Sequence, residues 1–356
     1  MVSPLDKVKS KERFTFEEGL ELFHTDFVKL AIAADMFRRE KHGHDYVGFV
    51  MDRNITFTNV CIAQCDFCAF WRHENQEQAF LLSIEEILHR VGELKKLGGT
   101  QVMLQGGLND KCDLTFYKHM LSHIKSSYPD ITLHSLSPAE IFYLSKKHRM
   151  TVKEVLLELK QAGLDSLPGA AEILSDRVRN IVSQRKLKTE DWLSVMRACA
   201  EAGMRSTATM TFGMVETEKE RIEHLQNIRN LQDETGVFRA FIPWTFSPDN
   251  TNMSYVKKLG TEDYLRMVAI SRLFLDNIEH IHAGWVTEGL PVASLALSMG
   301  ADDMGGILIE EVVVKATGIS HRVDKEALVK YIKEAGKIPV RRNTAYEILE
   351  VMGRDA

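Results

Sequence analysis

From Tyr46 onward the chain alternates short β-rich runs with amphipathic helical runs, and this rhythm limits the fold more than any other feature. Strand-like runs lie at 46–60, 100–104, 131–136, 164–167, 205–212, 238–243, 281–286 and 303–308. Helical periodicity fills the gaps near 84–97, 114–126, 138–146, 151–162, 190–202, 218–234, 262–275 and 288–299. Seven or eight such βα units in roughly 270 residues predict an eight-stranded (β/α)8 TIM-type barrel. A doubly wound open sheet is the alternative, but no Gly-x-Gly-x-x-Gly follows its first strand. Capping boxes at Thr15-Phe16-Glu17-Glu18 and Ser83-Ile84-Glu85-Glu86 mark helix starts on either side of the first strand. The expected organisation is a helical extension over 1–45, the barrel over 46–310, and a C-terminal extension over 311–356 packed on the barrel.

Chemistry concentrates in one stretch, Cys61-Ile62-Ala63-Gln64-Cys65-Asp66-Phe67-Cys68. Three of the chain's five cysteines fall there, spaced C-x3-C-x2-C. A structural zinc site wants four ligands, commonly two separated pairs, and Cys112 and Cys199 stand alone. A closed iron–sulfur cluster also wants four thiolates. Three thiolates on a tight loop point to a 4Fe–4S cluster with one iron left for a ligand that is not protein. Buried packing is the ordinary alternative for cysteine.

Composition narrows the setting. Of 356 residues, 44% are hydrophobic and 27% charged, with net charge −5. That balance gives no electrostatic reason to bind nucleic acid or an anionic membrane. No apolar run approaches a bilayer span, and Met1-Val2-Ser3-Pro4-Leu5-Asp6 lacks a secretory core. Odd-numbered, clustered cysteines fit a reducing compartment, so a cytoplasmic location is expected.

The cysteine spacing, with aromatic Phe67 before the third cysteine, resembles the signature of the radical S-adenosylmethionine (SAM) superfamily. The resemblance extends through Leu164–Leu174, Arg205–Met210, Phe241-Ile242-Pro243-Trp244, Pro248-Asp249-Asn250-Thr251, Trp285-Val286-Thr287-Glu288-Gly289 and Arg342-Asn343-Thr344-Ala345-Tyr346. These stretches look like the branch that serves the futalosine route to menaquinone and the deazaflavin step of coenzyme F420, and most like the cyclic dehypoxanthinyl futalosine synthases. Two departures stand out: Leu108 follows the paired glycines where the family often has an acidic residue, and the turn at 168–172 is one residue shorter.

The resemblance implies that Cys61, Cys65 and Cys68 hold a 4Fe–4S cluster whose open iron chelates SAM. Phe67, Gln105, Gly106, Gly107, Ser135 and Glu172 would contact SAM. The reaction would be a ring closure of dehypoxanthinyl futalosine, a ribose carrying a 3-substituted benzoate. A 5′-deoxyadenosyl radical would remove the ribose C4′ hydrogen, the carbon radical would add to the ring, and loss of a proton and an electron would then restore a closed-shell product. A flavodoxin or ferredoxin would supply the electron. Glu172, Asp249 and Glu288 are candidates to take the ring proton, and the residues do not rank them. Arg205 or Arg239 would meet the substrate carboxylate, and Trp244 and Trp285 would wall the aromatic ring or pack in the core. A sibling enzyme (aminofutalosine synthase or a deazaflavin-forming synthase) is the alternative within the branch. A metal-storage protein that needs only the thiols is the non-enzymatic one.

Overall fold

Runs rich in β-branched and aromatic residues build β1 (Tyr46–Val50) and β2 (Asp52–Thr58), one stave of a cylinder interrupted only at Met51. The computed structural model describes residues 6–10, 12–319, 321 and 323–353. Residues 1–5, most of the stretch without a secretory core, and 354–356 at the chain end lie outside them. Parallel pairing carries β2 to β3 (Gln101–Gly106) and on to β4 (Thr132–Leu133). A second run joins β5 (Ser166–Leu167), β6 (Arg205–Phe212), β7 (Phe238–Thr245) and β8 (His280–Ile281).

Two parallel bridges link these runs into a ring. His134 pairs with Ser166 between β4 and β5, and His282 pairs with Asp303 between β8 and β9 (Asp303–Gly306). β9 then returns to β1. The ring holds eight staves, as the alternation predicts. On the other side of β1 lies β10 (Ile338–Arg342), parallel to it, with antiparallel β11 (Ile348–Val351) beyond. The N-terminal helix Phe27–His42 packs on Thr261–Phe274. Arg229 fastens this side: its guanidinium lies 4.0 Å over Phe274 and donates to the carbonyls of Phe14 and Phe274.

Expected and observed elements differ where the backbone turns inward early. The run 131–136 contracts to Thr132–Leu133, because Leu136 adopts φ +64°. The run 281–286 contracts to two residues before the chain bends over the barrel mouth. The helix Asp176–Val182, only seven residues long, escapes periodicity altogether.

Candidate functional site

The cysteine loop leaves the C-terminal end of β2 through two polar staples. Thr58 Oγ1 donates to the Phe80 carbonyl (2.7 Å) and accepts from Asn109 Nδ2 (3.0 Å). Asn59 donates to the Gln78 carbonyl and accepts from the Phe80 amide, both at 2.8 Å. Between these anchors Cys61, Cys65 and Cys68 are free thiols, and the Cys68 amide closes a turn on the Cys65 carbonyl (3.1 Å). Gly107 supports the loop from below: a Cβ there would stand 2.2 Å from the Val60 carbonyl oxygen and 2.7 Å from the Cys61 Cβ. The close approach lets the Leu108 amide donate to Cys61 Sγ at 3.3 Å. Free thiols on a stapled, glycine-supported turn fit a cluster held from one face.

Beneath the loop, a cavity of about 400 Å³ runs down the barrel. Its upper wall includes Phe67, Cys68, Gln105, Glu172, Trp244 and Trp285; Thr207, Thr209 and Thr211 of β6 line the middle; His134, Arg239, His282, Arg342 and Tyr346 line the rest. Glu172 sits on a turn bent into positive φ (+48°, with Ala170 at +41°). β6 holds that turn: Thr207 and Thr209 hydroxyls accept from the Gly169 and Ala171 amides at 3.2 and 2.9 Å, and Trp192 Nε1 donates to the Gly169 carbonyl at 2.8 Å. The Glu172 carboxylate pairs with Lys186, with Arg179 3.7 Å away. Burial is the largest influence on the Lys186 ammonium and would lower it, but the Glu172 charge and hydrogen bond together with the Cys65 thiolate hold the pKa above its ordinary value. The Lys186 ammonium also lies 5.9 Å from the Phe67 ring centroid, tying the turn to the cysteine loop.

Lower down, Arg342 Nη2 donates to Asp303 Oδ1 at 2.7 Å, and its guanidinium lies 3.8 Å over the Tyr346 ring. Tyr346 stacks on His280 at 4.0 Å and shares a 2.6 Å hydrogen bond with His282 Nε2. Burial pushes His134 down to about 3 and His282 down to about 4, so both are neutral near pH 7. Burial pushes the Asp52 carboxyl up to about 7.

Several expected site residues are placed differently. Ser135 is fully buried, and its hydroxyl is spent on β3, donating to the Val102 carbonyl and accepting from the Leu104 amide. His134, its neighbour, faces the cavity instead. Asp249 is exposed on a turn and does not line the cavity, which removes it as a base there. Glu288 lies behind the wall, accepting from the Thr245 and Thr287 hydroxyls. Gly106 packs against the Phe57 ring rather than lining the cavity. Arg205 is exposed, whereas Arg239 lines the cavity. Trp285 donates to the Gly306 carbonyl and Trp244 to Thr211 Oγ1, so both indoles wall the cavity with their donors satisfied. Cys112 and Cys199 are buried. Lys186, His282 and Asp52 escape a reading of the sequence, since nothing in their local sequence distinguishes them.

Residues 55–228 match the model of the radical SAM superfamily, and 235–354 match that of the CofH/MqnC C-terminal region. A cyclic dehypoxanthine futalosine synthase of Halalkalibacterium halodurans is 43% identical, over 97% of this chain and 94% of that protein. The chain belongs to the radical SAM superfamily. A second relative, a 5-amino-6-(D-ribitylamino)uracil–L-tyrosine 4-hydroxyphenyl transferase of Methanosarcina mazei, is 40% identical over 96% of this chain and 90% of that protein. Among solved structures, methylornithine synthase superposes with a TM-score of 0.77 at 20% identity, covering 95% of this chain and 98% of that one, which shows a shared fold.

Proposed function

We propose that the chain converts dehypoxanthinyl futalosine to its cyclic product by radical chemistry, as a step of menaquinone biosynthesis. The observation that carries this reading is the full-length similarity to the synthase of that name. A second support is one cavity that reaches from the cysteine loop to the far end of the barrel. Cys61, Cys65 and Cys68 would hold a 4Fe–4S cluster; when bound, it supplies an open iron for the amine and carboxylate of SAM and the electron that splits its sulfonium. Phe67 and Gln105 would border SAM, with Glu172 and Lys186 beside it. The backbone at Gly107-Leu108 keeps the Cys61 thiolate oriented. Trp244 and Trp285 enclose the space in which an aryl group folds over a ribose, and the closed barrel keeps water from the carbon radical. Of the three carboxylates considered for the ring proton, Glu172 alone lines the cavity, and we assign it that role. We further propose a flavodoxin or ferredoxin as electron donor, a cytoplasmic location consistent with the free thiols, and a division into 1–45, 46–310 and 311–356. Among the described residues no helix is long and apolar enough to cross a membrane.

Anaerobic reaction of the reconstituted protein with dehypoxanthinyl futalosine, SAM and a reductant tests the reading. Mass spectrometry should find 5′-deoxyadenosine and a product two hydrogens lighter. Turnover only with substrates of the aminofutalosine or deazaflavin synthases would assign it to a sibling. Reconstitution without any SAM cleavage would leave a metal-storage protein.

A further inference from the structure

Buried arginines in this protein are compensated. Arg38 pairs with Asp35 and Asp45, Arg272 with Asp302, Arg342 with Asp303, and Arg179 donates to three carbonyls. Arg239 breaks the pattern. It is the second residue of β7, it lines the cavity, and among the described residues its guanidinium forms neither a hydrogen bond nor an ion pair. The charges around it do not cancel it: Arg205 repels it, and Asp165 is already held by Lys125 at 2.7 Å. Its neighbour His134 is neutral and uses Nδ1 on Ser166 Oγ (2.8 Å). A half-buried guanidinium without a counter-charge is costly, and an anion entering the cavity would relieve that cost.

Position gives the anion a direction. Arg239 lies at the N-terminal end of the strands, while the cysteine loop sits at their C-terminal end. Between Arg239 and Thr245 the strand climbs roughly 20 Å. The other cations near the cavity are taken, Arg342 by Asp303 and Lys186 by Glu172. We infer that Arg239 anchors the aryl carboxylate of the substrate, so that the acid stands at the floor and the sugar is held up beneath the cysteine loop. The inference rests on the proposed reaction for its choice of substrate. If His134 Nδ1 accepts from Ser166, its Nε2–H is a second donor beside the guanidinium. Arg239 is therefore a positioning and specificity residue: it selects an acid over a neutral ring and sets which end of the substrate faces the radical.

The test compares binding of dehypoxanthinyl futalosine with binding of its carboxamide analogue to the reconstituted holoenzyme by anaerobic calorimetry. Wild type should prefer the acid. Arg239→Gln should weaken acid binding by roughly 10- to 100-fold, the span of one charge-assisted pair, and leave the amide within about threefold. Arg205→Gln should change neither. Arg239→Lys keeps the charge but not the planar fork, so its acid preference should fall between the two; it decides the question if Arg239→Gln does not fold. Acid preference that stays at the wild-type level in the Arg239 variants, or is lost in Arg205→Gln, overturns the anchor. So does a wild type without any acid preference. Turnover is scored separately: a wild type that binds the acid through Arg239 yet forms no cyclic product removes the proposed reaction and leaves the anchor standing.

Discussion

At Gly107 the room beneath the cysteine loop is smaller than one methyl group. Gly107→Ala would drive a Cβ against the Val60 carbonyl and the Cys61 Cβ, and two backbone segments cannot both give way cheaply. The expected result is a folded protein whose iron content after reconstitution falls severalfold, read by metal analysis and by the visible absorption of the cluster. Iron at the wild-type level would show that the loop adapts. At this scale the sequence speaks clearly where chemistry is local: three cysteines and Phe67 announce themselves by spacing. It misleads where parity decides. Ser135 and His134 alternate just past the end of β4, and which faces inward depends on where that strand ends and on the turn at Leu136. Lys186 sits in a connection between helices, and only the folded turn brings it against the cavity-lining Glu172.

Among the elements, β10 is one that the βα rhythm does not announce. It pairs with β1 along four residues, and its last residue, Arg342, forms a buried pair with Asp303 of β9. Partner choice between segments so far apart in sequence leaves no local trace, whereas the alternation and capping boxes follow from neighbours a few residues away. Arg342→Ala strands a fully buried carboxylate, and removing one partner of such a pair costs about 3–5 kcal/mol. Urea denaturation should show that loss as a lower midpoint with an unchanged slope. Trp192→Phe is milder: it removes the hydrogen bond to the Gly169 carbonyl and should cost about 1 kcal/mol.

Over the whole molecule, buried ionisable groups set a pH optimum for stability. Burial lowers His42 and His282 to about 4, and His134 and His224 to about 3. It raises Asp52 to about 7 and Glu140 to about 8. Between roughly pH 4.5 and 6.5 the unfolded chain binds the four histidine protons that the fold refuses, while the fold keeps two carboxyl protons that the unfolded chain has released. The net difference favours the unfolded state as pH falls, by up to about 2–3 kcal/mol per pH unit. Above pH 6.5 only the two carboxyls differ, and stability declines as pH rises toward 8. A melting temperature that peaks near pH 6.5 is expected from thermal scans across pH 5–8, and a steady rise to pH 8 would contradict it.

Tyr346 belongs to one of the last segments of the chain, yet it closes the end of the barrel opposite the cysteines, stacked on His280 and bonded to His282. The two ends of the cavity are therefore walled by segments far apart in sequence, the cysteine loop at one and Tyr346 at the other. A change that loosens Tyr346 would thus unseal the cavity from the side remote from the thiols while leaving the thiols themselves untouched.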